Sequence, residues 1–368
     1  MRLSVALLTA TLLTGSLVGC TSGYGVPQTS SMSSDSSAQS HLVNGSLITH
    51  GAPTADVAPV ELRSSSVLAK IHAAARRDQA DAVTPGIYAS EGTYSSSYIY
   101  GYPDPDSSNG PPVCSVGPVQ YFRGLAVDRK GDLLVATGLY AGTATITVFK
   151  GPGLCGPKLG SFTENPDGNV VGVASRDAQS GKILVENSGR GFNTRGTLAV
   201  CTLSAGCTAL LKGSHVRNLV AGVALAPNGD CWAWGWTGNS YVLNYFAQCR
   251  HRGVAATGLQ HSSYSPNQGG LDIDAHGNLV TSDFVYPTVF LSIYSGCNPA
   301  CKLVGGPFQL TQGGFQHLDA SSKQFVGAGS TQLDVYSYST TGIKYLYSIS
   351  NGLTGGCCFA AFSPSSKE

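Results

Sequence analysis

The sequence predicts an all-β fold, a six-bladed β-propeller of four-stranded blades. Three observations lead there. Charged residues make up only 12% of the 368 positions, about half of the roughly 25% usual in soluble domains. Glycine is abundant at 47 residues, and Tyr, Ser, Thr and Val recur throughout; glycine turns between β-branched segments favour strands over helices. Finally, one pattern is written repeatedly: "GLAVDRKGDLLVATG" from Gly124, "GVALAPNGDCWAWG" from Gly222 and "GLDIDAHGNLVTSD" from Gly270.

The chain opens with an address. "MRLSVALLTATLLTGSLVGCTSG" has Arg2 as a short positive region and an apolar run from Leu3 to Val18. Small and polar residues follow at once, which predicts a signal peptide over residues 1–19 rather than a membrane span. "LVGC", Leu17 to Cys20, resembles the bacterial lipobox. The resemblance implies cleavage before Cys20, lipidation of that cysteine, and anchoring in the cell envelope outside the cytoplasm. Thr21 is not acidic, which favours the outer membrane. No other run reaches the roughly 20 apolar residues a spanning helix needs.

Residues 20–84 read as a tether. Thr21 to about Ala55 is rich in Ser, Thr, Gly and Pro and lacks the apolar content to fold. Glu61 to Gln79 reads as a short helix, with Leu68, Ile71 and Ala75 on one face. A flexible leader of about 65 residues would reach ~45 Å.

The propeller is expected over residues 85–368. The anchors Gly124, Gly172, Gly222 and Gly270 are spaced by 48, 50 and 48 residues, and a weaker copy begins 47 further on at His317. Each unit holds a strand, a D-x-x-G-[DN]-like turn, a second strand, then two more, which is the period of a propeller blade. "GIYASEG", "SYIYGY" and "VCSVGPV" precede the first anchor and read as strands two to four of a blade without its first strand. The terminal "CCFAAFSPSSKE" supplies a first strand with nothing after it. Joined, they make a sixth blade and hide two open sheet edges. Counts of five or seven remain compatible with the weakly written units.

"GLAVDRKGDLLVATG" and "GLDIDAHGNLVTSD" resemble the NHL-type repeat, G-[IVL]-A-[VF]-D-x-x-G-N-[LI]-Y-V-A-D. The resemblance covers about residues 85 to 365 and implies a six-bladed propeller of the NHL/gluconolactonase-like kind. Most blades here lack the final Asp of that pattern.

Chemistry is written less plainly. With 22 Lys and Arg against 21 Asp and Glu, the net charge is +1, unlike the basic footprint of a nucleic-acid binder. "DIDAHGN", Asp272 to Asn278, partly matches a calcium loop, but the twelfth position is Asp283 where glutamate is needed; a β-turn explains it and its counterparts. Trp232, Trp234 and Trp236 fall on one strand face and read as inter-blade packing, with Trp236 the best placed for exposure. The loops before first strands offer Arg123, Asn218, Gln268 and His317 as channel-mouth binding residues, with Glu164, Glu186 and Asn187 as further polar candidates. No zinc-ligand histidine spacing, nucleophile elbow or P-loop is present, and no cofactor or metal is called for.

Removing Cys20 leaves ten of the 11 cysteines, an even number. Cys201 with Cys207, and Cys297 with Cys301, flank short hairpins; Cys231 and Cys249 come opposite each other on neighbouring strands. Cys114, Cys155, Cys357 and Cys358 cannot be paired from the sequence, and a cysteine-rich metal site is the rival reading. The expected function is a membrane-anchored binding module for a small molecule, glycan or envelope protein. The alternatives are a metal-dependent propeller hydrolase or lyase, lactonase-like, and a purely structural envelope role.

Overall fold

The computed structural model describes residues 40–43, 46–49 and most of 86–363. Cys20, the 61–79 segment expected as a helix, and Cys357 and Cys358 lie outside the described residues. A hairpin of β1 (Ser40–Val43) and β2 (Ser46–Thr49) comes first in the chain.

Six four-stranded antiparallel sheets follow. Three strands come before the first complete blade: β3 (Gly86–Thr93), β4 (Ser96–Pro103) and β5 (Cys114–Val119). Blade I comprises β6 (Phe122–Val127), β7 (Leu133–Gly138), β8 (Ala144–Phe149) and β9 (Lys158–Glu164). Blade II is β10 (Val170–Ser175), β11 (Ile183–Asn187), β12 (Thr197–Thr202) and β13 (Gly206–Lys212). Blade III is β14 (Asn218–Leu225), β15 (Cys231–Trp236), β16 (Tyr241–Phe246) and the short β17 (Val254–Ala255). Blade IV is β18 (Ser265–Ile273), β19 (Leu279–Val285), β20 (Thr288–Ser295) and β21 (Lys302–Leu310). Blade V is β22 (Gly314–Leu318), β23 (Gln324–Ala328), β24 (Leu333–Ser339) and β25 (Gly342–Ile349).

The final strand, β26 (Ala360–Ser363), pairs with β3 in the register Ala360–Ala89, Ala361–Tyr88, Phe362–Ile87 and Ser363–Gly86. Blade VI is therefore β26-β3-β4-β5, composed from both ends of the chain. The inner strands β6, β10, β14, β18 and β22 pack each on the next, and β26 packs on both β22 and β6, which closes the ring.

Closure is driven by what lies between blades. A single blade is apolar on both faces and cannot shield itself from water. Six apolar clusters result, one per interface. The cluster between blades VI and I joins Tyr88 and Ile99 to Leu125, Leu133 and Phe359. Beside it, a disulfide from Cys114 on β5 reaches Cys155 in the β8–β9 loop, and the Tyr88 hydroxyl accepts from Cys155 N at 2.8 Å. Burial pushes the Tyr88 phenol up to about 12, so it stays neutral.

The turns between first and second strands follow their sequence. Asp128 Oδ1 accepts from Lys130 N and Asp132 N, and Asp274 Oδ1 accepts from His276 N and Asn278 N. Gly131, Gly229 and Gly277 supply φ values of 82°, 90° and 80°, a region costly for residues with a Cβ. In blade V, Ser322 takes that place at φ 53°. The other Asp274 oxygen accepts from Asn278 Nδ2 and from Tyr338 Oη, both at 2.9 Å. "DIDAHGN" is thus a self-satisfied turn tied to the next blade.

Candidate functional site

The inner strands carry equivalent positions, and the register identifies them. One ring is made of the residues paired with Leu134, Leu184, Trp232, Val280, Val326 and Tyr88. Those residues are Ala126, Ala174, Ala224, Asp272, His317 and Ala361. Ala126, Ala224 and Ala361 are buried in the packing between neighbouring blades. The two exceptions are neighbours, on blades IV and V, and they meet: His317 Nδ1 lies 3.5 Å from Asp272 Oδ2, with the side chains 17% and 28% exposed.

The pair is held from behind. Asp272 Oδ1 accepts from Ile273 N at 2.8 Å, and Oδ2 accepts from Leu318 N at 3.0 Å across the blade boundary. The carboxylate is therefore fixed by backbone on both inner strands, while Nε2 is the imidazole's other polar atom. A fixed acid beside a partly exposed imidazole can accept from and donate to a bound ligand. Two such groups fall short of the three or more protein ligands of a typical zinc site. Among the described residues there is no group of three or more His, Cys, Asp or Glu able to hold a metal.

The other residues expected at the mouth are distributed differently. Asn218 opens β14, paired with Trp236, and Gln268 lies within β18. His317 sits at the level of Trp232, four residues or about 13 Å from Asn218 along the strand direction. The structure thus places His317 inside β22 rather than in the loop before it. Arg123 is 2% exposed; its Nε donates to Gly138 O at 2.9 Å, so it belongs to the wall. Glu164 is buried at the end of the outer strand β9, far from the channel, and Glu186 and Asn187 end the second strand of blade II. Trp232 and Trp234 are buried between blades III and IV, and Trp236 is half-buried against Tyr241.

Sequence reasoning singled out His317 but read Asp272 only as part of a turn. Reading the repeats as a column shows the pair, because four alanines occupy the remaining places.

Among the described residues, four disulfides are formed. Beside Cys114–Cys155 they are Cys201–Cys207, Cys231–Cys249 and Cys297–Cys301. No helix among the described residues is long and apolar enough to cross a membrane.

No family model matches the chain, and no curated protein matches it. Solved structures do. TolB from Acinetobacter baumannii is 12% identical at a TM-score of 0.52, over 77% of this chain and 67% of that one. A protein from Bacteroides uniformis, provisionally named a 6-phosphogluconolactonase, is 10% identical at 0.48, over 76% and 99%. The WD40 domain of Toxoplasma gondii coronin is 12% identical at 0.46, over 73% and 69%. At such identities the likeness is one of fold, and with the closed ring of six sheets it makes this chain a six-bladed β-propeller.

Proposed function

We propose that the protein is a lipid-anchored, extracytoplasmic propeller that binds a small molecule, glycan or envelope protein in its channel. The Asp272–His317 pair carries this reading, because it alone breaks the alanine ring with groups that accept and donate hydrogen bonds. The lipobox at Cys20 supports the anchor, and residues 20–84 suit a spacer. Four disulfides suit an oxidising compartment. Diacylation would hold the chain firmly, since each buried CH₂ contributes about 0.8 kcal/mol.

Two experiments test the two halves. Labelled palmitate should enter the wild-type chain and be lost in Cys20→Ser, which should also leave the membrane fraction. Label retained in that variant would remove the anchor. For binding, the full chain is screened against glycans and metabolites by thermal shift. A stabilising ligand should lose its effect in His317→Ala and Asp272→Ala. Turnover without stable binding would instead favour the lactonase-like reading.

A further inference from the structure

The interface between blades III and IV is not wholly apolar. On β19 the side chains alternate, so Thr281 and Asp283 share the face of Leu279, which packs on blade III. Ser292 on β20 is paired with Thr281 and lies on that face too. Trp234 comes from the opposing sheet, in one cluster with Leu271, Leu279 and Tyr294. All four residues are at most 2% exposed. Yet Asp283 Oδ1, Thr281 Oγ1, Ser292 Oγ and Trp234 Nε1 make no hydrogen bond among the described residues. Buried polar groups are ordinarily paired, and leaving a charged one unpaired is costly.

A second feature coincides with them. In blades I, II and V the inner strand bulges by a single residue against its partner. In blade III the residues 220–222 stand opposite Trp234 alone, between the pairs Leu219–Gly235 and Val223–Ala233. In blade IV the residues 267–270 stand opposite Ser282, between Pro266–Asp283 and Leu271–Thr281. The inner strands are therefore most loosely paired beside the four orphan groups. One pleat further along β15, Trp236 is half-buried, so the interface opens on that side.

We propose that this inter-blade site binds a small primary amine with a neighbouring oxygen acceptor, of the amino-alcohol or α-amino-acid class. An ammonium has three N–H donors, and Asp283 Oδ1, Thr281 Oγ1 and Ser292 Oγ are three acceptors on one face. The Trp234 indole N–H is a donor and takes the ligand's oxygen. A ligand bearing hydroxyls alone would leave the carboxylate without a counter-charge; a bare metal ion would leave the indole N–H unpaired. Burial raises the Asp283 pKa, and among the described residues Asp283 forms no ion pair. The site is independent of the Asp272–His317 pair.

Ethanolamine is the probe, titrated calorimetrically into the full chain above neutral pH, with ethylamine and ethylene glycol for comparison. Ethanolamine should bind, ethylamine more weakly, and ethylene glycol not at all. Near neutral pH the binding heat should vary with the buffer's ionisation enthalpy, because Asp283 releases its proton to pair with the ammonium. Asp283→Asn should weaken binding at least about tenfold, equal to about 1.4 kcal/mol, with an unchanged circular dichroism spectrum. Trp234→Phe should weaken it too. If Asp283→Asn does not fold, proton release by the wild-type chain decides. Absence of ethanolamine binding, undiminished binding in a folded Asp283→Asn, or binding without proton release would each overturn the proposal.

Discussion

Asp283 is a carboxyl group set between two sheets, and among the described residues it forms no ion pair. Burial pushes its pKa up from 3.8 to about 7. A raised carboxylic pKa means that the folded state holds a proton the unfolded chain has already lost. Stability from this group is present below about pH 4 and falls as pH rises through about 7, by about 4 kcal/mol in all. Asp283→Asn should therefore flatten the fall in denaturation midpoint between about pH 5 and about pH 8, and be the more stable protein at the higher value. Equal pH slopes in the two proteins would contradict this. At Gly277 the conformation is the constraint, not the space: a Cβ there meets nothing within 4 Å, but φ is +80°. Gly277→Ala should cost about 1 kcal/mol by urea denaturation. Gly131→Ala should cost more, because its Cβ would also come within 2.9 Å of Pro152 Cα. At this scale the sequence is legible where a residue type answers a local demand, as these glycines do. It is opaque where a pair depends on neighbours in space. Asp272 and His317 are 45 positions apart and meet only because adjacent inner strands bring equivalent positions together.

Strands and turns were the most readable level. A turn of the kind at Asp274 satisfies its own carboxylate, so its signature survives wherever the fold uses it. The bulges of β14 and β18 could not be read, because residues 220–222 and 267–270 look like any small or glycine-rich strand until their partners are known. Short-range disulfides resemble turns in being local: Cys201–Cys207 and Cys297–Cys301 span separations of 6 and 4. Cys114–Cys155 spans 41 and joins two blades, so its pairing needs the ring. Loop-closure entropy ranks their worth. Removing Cys114–Cys155 with serines should cost about 4 kcal/mol and removing Cys297–Cys301 about 2 kcal/mol. Thermal melts of the two double variants check the order, and a larger loss from the short bridge would contradict the ranking.

The whole molecule is a ring whose last blade depends on both termini. Each interface buries one apolar cluster, and at blade VI this requires β26: Phe359 and Ala361 face blade I, while Ala360 and Phe362 face blade V. The composite blade was readable from two complementary defects, three strands upstream without a first and one downstream without the rest. The polar groups of the ring were not readable, because the Asp272–His317 pair and the Asp283–Trp234 group arise from packing between blades. Native-state hydrogen exchange on Ala360–Ser363 tests the closure most directly. These amides, paired with Gly86–Ala89, should be protected to the same degree as those of β14, opening only with the whole domain. Exchange at the rate of a free tail, with β14 still protected, would contradict the closed six-bladed ring.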